Sequence, residues 1–163
     1  MQSWYGRPES RAAGADTTLV KRSDTVDDTR LLFAPLKVQG KTLRNRIVMP
    51  PMVVNRELTS QEGWDWYGRH ADGGVGLVIV EATDIIRFAS ELTAENLRPL
   101  AAAIHTGGAL AAIQLFPGRR AEQIVPADLA RRDTDRLLEL YGKGAQACAD
   151  AGFDGIEPPG AHG

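Results

Sequence analysis

GGVGLVIVEAT, residues 73–83, decides the fold. A glycine pair closes one element, an apolar run of strand length follows, and Glu81 stands where the run stops. Unbroken apolar runs bounded by turn residues mark strands buried on both faces, as in a parallel sheet. The plan recurs. GGALAAIQL (107–115) closes on Gln114, GFDGIE (152–157) closes on Glu157, and NRIVMPPM (45–52) lacks only the leading glycines. These runs begin roughly 30 to 45 residues apart, room for a strand, a helix and their connections, so the βα unit of a parallel α/β sheet is expected and a short-period solenoid is not.

The segments between the runs read as helices. Thr59-Ser60-Gln61-Glu62 matches a capping box, with Thr59 at the cap, and Trp64, Tyr67 and Ala71 then recur at helical spacing toward Asp72. Thr93 caps a second helix, Ala94 to His105, with Leu97, Leu100, Ala101 and Ile104 on one face. A third, Thr134 to Ala151, turns Leu137, Leu138, Tyr141, Ala145 and Cys148 inward and stops at Gly152. His70 and His105 each fall in a last helical turn, where the dipole favours them, and neither takes catalytic weight. Gly142-Lys143-Gly144-Ala145-Gln146-Ala147 fits the loose dinucleotide pattern, but inside a helix that pattern has no phosphate to cradle; its glycines are read as allowing close helix-to-sheet approach.

Ahead of the first run, two short apolar stretches flank Gln39-Gly40, a hairpin suited to capping the bottom of a sheet or barrel. Residues 1–30 are polar, mixed in charge and without apolar period, a disordered tail, so the domain is placed at 31–163. Phe116 to Arg132, rich in arginine and proline, reads as a long functional loop.

At 163 residues, 43% hydrophobic and 25% charged, the composition is that of one globular domain. A net charge of -2 offers no basic field for nucleic acid. Neither a membrane-length apolar run nor a signal peptide is present, and a soluble cytoplasmic protein is the simplest expectation. The lone Cys148 cannot form an intramolecular disulfide and reads as a small apolar core residue. No G-x-S-x-G, no P-loop and no metal-spaced cluster occurs, with histidines isolated at 70, 105 and 162. What remains is the set of strand ends: Pro50 to Val53, Glu81 to Thr83, Gln114, and Glu157 through His162. Any one of these could merely tie down loop backbone; in register at the carboxyl ends of parallel strands, where ligands bind, they point to a site.

The run LFAPLKVQGKTLRNRIVMPPM, followed by GLVIVEAT, AIQL and AGFDGIEPPGAHG, resembles the old yellow enzyme family of FMN-dependent ene-reductases over residues 31–163. The resemblance implies the first four strands of a (β/α)8 barrel with FMN at the carboxyl face. It also implies reduction of the flavin by NAD(P)H and hydride transfer to the β-carbon of an activated alkene. Backbone around Pro51, Met52, Val53 and Ala82 would border the flavin ring, and the Gln114 amide would bond its pyrimidine edge. His162 matches the second member of the family's His-x-x-His/Asn pair, which holds the substrate carbonyl.

The departures are specific. Pro159 stands at the first member of that pair and has no side-chain donor, and Val53 stands where the family has threonine or cysteine. Gln114-Leu115-Phe116-Pro117-Gly118-Arg119 is one residue short of the family's Q-L-x-H-P-G-R. An eight-stranded barrel typically takes about 250 residues. The resemblance therefore implies a truncated half-barrel, stopping before the proton-donor tyrosine and the phosphate-binding half. Three readings stay open: an oxidoreductase completed by a homodimer or a complementing chain, an inactive remnant, and a scaffold that needs a partner.

Overall fold

Residues 29–117 and 131–160 are described by the computed structural model. Residues 1–28 of the expected tail, most of the Phe116–Arg132 loop and His162 lie outside the described residues, while Thr29 and Arg30, read as the end of that tail, are helical. A short helix, α1 (Thr29–Phe33), precedes the hairpin of β1 (Leu36–Val38) and β2 (Lys41–Leu43). Its turn is Gln39-Gly40, both at positive φ (49° and 78°), the combination that matches the twist of antiparallel strands.

Four parallel strands follow, in sheet order β3 (Val48–Met49), β4 (Leu77–Asp84), β5 (Leu110–Phe116) and β6 (Gly155–Glu157). Each joins the edge left by its predecessor. The helices α2 (Gln61–Asp72), α3 (Ala94–Thr106) and α4 (Arg131–Ala151) lie between them in sequence and share one core on one face of the sheet. Winding in a single direction with helices on a single face is the geometry of a (β/α) barrel; a doubly wound sheet carries helices on both faces. The fold is a parallel half-barrel.

Alternation along the strands sorts the side chains. Val78, Val80, Ala111, Ile113 and Leu115 are fully buried beneath the helices, against Tyr67, Leu97, Leu100, Ile104 and Cys148. Leu77, Ile79 and Leu110 point the other way and are only half-buried, and Val48, register partner of Leu77, is 41% exposed. At about 25 cal/mol per Å² of apolar surface, the helix-side layer supplies most of the stabilisation.

Several boundaries differ from expectation, each for a physical reason. The first strand is two residues long because Pro50 and Pro51 have no N–H to give the ladder. The cap of α2 is Ser60, whose Oγ accepts from Gly63 N–H at 3.2 Å, while Thr59 Oγ1 turns to Glu57. In α3, Thr93 caps as expected and Asn96 completes a capping box. The last helix begins at Arg131, and Leu138 is 65% exposed rather than inward. Leu137, Tyr141 and Cys148 do face the core as expected, the first two half-buried, and Gly144 and Ala151 complete the inward line. A Cβ on Gly144 would lie 3.3 Å from Leu115 and Phe88, so this glycine does permit close approach; one on Gly142 would meet nothing within 4 Å.

The amino ends of the strands are laced shut. Arg44 donates from Nε to Val75 O (3.0 Å) and from Nη2 to Ala71 O (2.5 Å). The buried Asn45 donates to Gly74 O (2.7 Å) and accepts from Ile47 N–H (3.0 Å). Asp154 accepts from Ala111 N–H and Lys41 Nζ (both 2.9 Å) and from His105 Nε2 (2.7 Å). A carboxylate ion can only accept, so His105 carries its proton on Nε2, and this pairing, beyond the dipole, explains its place. Burial pushes the Asp154 carboxyl up, but the bonds from Lys41, Ala111 and His105 outweigh it and hold it below the usual carboxylate range. The hairpin thus caps the bottom of the sheet.

Candidate active site at the carboxyl rim

At the opposite end, β4 does not stop at Glu81. Val80 pairs with Ile113 and Thr83 with Leu115, so Glu81 and Ala82 together face the single residue Gln114, a β-bulge. The extra residue reverses the alternation, which is why Thr83 is buried on the helix side and the strand continues to Asp84. The main chain of Glu81 is satisfied by side chains. Glu81 N–H donates to the hydroxyl of buried Tyr67 (3.1 Å), and Thr83 Oγ1 donates to Glu81 O (2.8 Å). Burial pushes the Tyr67 phenol well up, so it stays neutral.

The Glu81 carboxylate accepts from Val54 N–H at 2.5 Å. Burial raises its pKa, with the Val54 bond and the Arg87 charge opposing. For this residue, tying down loop backbone is the role observed. Arg56 Nη1 donates to Val54 O (3.1 Å), and its Nε lies 2.9 Å from Glu62 Oε1 without hydrogen-bond geometry, a charge pairing only. Arg87 bridges Glu57 (2.8 Å) and Glu91 (2.9 Å). The loop that follows β3 is therefore held at several points, yet Met52 and Val53 are 63% and 67% exposed.

Gln114 is half-buried beside the bulge, and its register partner is Glu157. Its Nε2 leans toward Glu157 Oε1 at 3.4 Å, while Glu157 Oε2 is buried without a partner. Pro51, Met52, Val53, Ala82 and Gln114 thus fall at one end of three neighbouring strands, with Pro159 just past β6. Cys148 plays no part here: it is buried under the sheet, and burial pushes its thiol up to about 12. Tyr67, Thr83 and Arg56 support the rim without any motif to announce them. Among the described residues no group of three His, Cys, Asp or Glu could hold a metal, and no helix is long and apolar enough to cross a membrane. A groove between α2 and α3, lined by Trp64, Arg69 and Thr106, lies on the outer surface away from the rim.

Comparison with known proteins decides the family. The profile of the NADH:flavin oxidoreductase / NADH oxidase family matches residues 31–128. The chain belongs to this family. It is similar to an NADPH dehydrogenase of Geobacillus sp. (32% identical over 165 residues, 82% of this chain and 48% of that protein). A second relative, the NADPH dehydrogenase of Bacillus licheniformis, is 32% identical over 82% of this chain and 49% of its own length. Among solved structures, a variant of NCR from Zymomonas mobilis superposes with a TM-score of 0.66 at 28% identity, covering 78% of this chain and 44% of that one. Old Yellow Enzyme from Pichia sp. reaches 0.68 at 20% identity, over 82% of this chain and 46% of its own, and speaks to the fold. The chain spans about half the length of the relatives it matches. FMN and NAD(P)H are the cofactor and reductant of the family.

The rim suits the ring system of a flavin and not its phosphate. An amide that can donate and accept, a buried carboxylate oxygen lacking a donor, and exposed Met52 and Val53 match a flat ring with a polar edge. The described arginines beside this rim, Arg56 and Arg87, are already engaged by carboxylates, so the described residues offer a phosphate no grip there.

Proposed function

We propose that this chain is the flavin-holding half of an old yellow enzyme-type oxidoreductase, soluble and cytoplasmic, that uses NAD(P)H to reduce activated alkenes such as enones. The observation that carries the reading is the placement of Gln114 between the Glu81–Ala82 bulge and Glu157, at the end of the sheet where the Pro51–Val53 loop emerges. FMN, when bound, would supply the redox chemistry, hydride transfer from NAD(P)H to the alkene β-carbon. The protein's part is to hold and orient. With its Nε2 turned toward Glu157, Gln114 keeps Oε1 free to accept from a ring N–H. Met52 and Val53 supply apolar surface for the ring face. His162 would donate to the substrate carbonyl oxygen and stabilise the enolate that hydride addition creates, a task Pro159 cannot share.

The sheet edges favour a second element of the proposal. Among the described residues the outer edges of β3 and β6 pair with no strand, and Ile156 is 40% exposed. A further four-stranded half, from a second copy or a complementing chain, would close the ring and cover these edges. Flavin content measured against oligomeric mass tests both elements. Stoichiometric FMN on a closed assembly, with affinity weakened about tenfold by Gln114→Ala, is expected. A colourless protein after FMN addition removes the flavin reading, whereas unchanged affinity in the variant removes Gln114 from the site.

A further inference from the structure

Glu81 stands out because each of its polar groups is used to hold backbone in place. Its N–H is seated on Tyr67 of α2, its carbonyl on Thr83 of the same strand, and its carboxylate on Val54 of the loop after β3. Both sides of Val54 are fixed as a result, the N–H by Glu81 and the carbonyl by Arg56. The segment needs such support, since Pro50 and Pro51 cannot donate and the strand ends at Met49. Glu81 sits in the bulge opposite Gln114 of β5, and its carboxylate reaches Val54 in the loop after β3, the neighbouring strand on the other side.

We infer that Glu81 is a positioning residue, which through Val54 N–H fixes the Pro51–Val54 segment so that Met52 and Val53 are presented at the rim in one conformation. This rests on the flavin reading for what is presented, though not for the hold itself. Glu81 touches no ligand; it acts through the loop. Preorganising a loop lowers the entropy cost of binding, so its loss shows first in affinity.

Two substitutions separate the role from general stability. Glu81→Gln keeps an oxygen that can accept from Val54, whereas Glu81→Leu keeps bulk and removes the acceptor. In the flavin-free 163-residue chain, hydrogen–deuterium exchange at Val54 N–H should be slow in the wild type and in Glu81→Gln, and about tenfold faster in Glu81→Leu. FMN affinity, followed by flavin fluorescence, should weaken about tenfold in Glu81→Leu and stay within about threefold of wild type in Glu81→Gln. If Glu81→Leu does not fold, exchange in the wild type alone decides: a Val54 amide exchanging at the free-peptide rate overturns the inference. Equal FMN affinity in wild type and Glu81→Leu, with Val54 loosened, overturns the link to binding. A wild type that takes up no FMN sinks the flavin reading instead, and the exchange comparison still decides whether Glu81 holds the loop.

Discussion

The two ends of the sheet are built to opposite specifications. At the amino end the polar groups of Arg44, Asn45 and Asp154 are engaged, and backbones approach so closely that side chains are excluded. At the carboxyl end a bulge breaks the ladder, two apolar side chains stand in solvent and a buried carboxylate oxygen has no donor. In barrels of this kind the first end stabilises and the second does chemistry. The contrast makes a quantitative claim: changes at the bottom should cost stability, and changes at the rim should cost little or none.

The sharpest test pairs two glycines. A Cβ on Gly76, which leads into β4, would sit 2.4 Å from the carbonyl oxygen of Asn45, itself held from both sides. A Cβ on Gly160, past the rim end of β6, would meet nothing within 4 Å. Gly76→Ala should therefore destabilise by about 3 kcal/mol or more, and Gly160→Ala should stay within about 0.5 kcal/mol of wild type. Urea denaturation midpoints of the two variants give the comparison directly. Similar midpoints would mean that the amino end yields as easily as the rim.

Next comes Asp154, which joins the hairpin, α3 and β5 through one carboxylate. Asp154→Asn keeps the shape but loses the charge, and should cost about 2 kcal/mol near neutral pH. The pH dependence has a fixed sign. The folded-state pKa of Asp154 is lowered from its ordinary 3.8, so its contribution is present above that value and is lost as pH falls through the folded-state value. The gap between wild type and Asp154→Asn should accordingly close on the acid side of about pH 4. A gap that is constant from pH 7 to pH 3 would show that the carboxylate's charge contributes nothing there.

These two ends were not equally legible in the sequence. Strands β4 and β5, with helices α2 and α3, could be read because burial imposes a period on consecutive residues, as in Leu97, Leu100, Ala101 and Ile104. The bulge could not, since Glu81-Ala82 carries no glycine and differs in no local way from a strand that simply ends. Nor could the role of Asp154, whose partners Lys41 and His105 lie 113 and 49 positions away. Leu138 escapes the sequence for a related reason: two adjacent leucines both fit an inward stripe, and the rotation of α4 is set by contacts with distant residues, such as Gly144 against Phe88 and Leu115. Of the site, Gln114 and the Pro51–Val53 loop were visible as strand ends, while the hydrogen bonds that hold them come from elements distant in the chain.

The smallest expected effect probes the rim alone. Glu157 Oε2 is buried and has no hydrogen-bond partner, and among the described residues its twin oxygen accepts only the long bond from Gln114. A carboxylate kept in that state is a cost to folding, tolerable where a ligand later supplies the missing donor. Glu157→Gln removes the charge, retains an oxygen for Gln114 and leaves size almost unchanged. It should leave the flavin-free chain as stable as wild type, or more stable by about 0.5–1 kcal/mol, the opposite sign to Asp154→Asn. If both carboxylate-to-amide changes destabilise alike, the difference between the two ends does not exist for charge, and the empty acceptor at Glu157 has to be explained without a ligand.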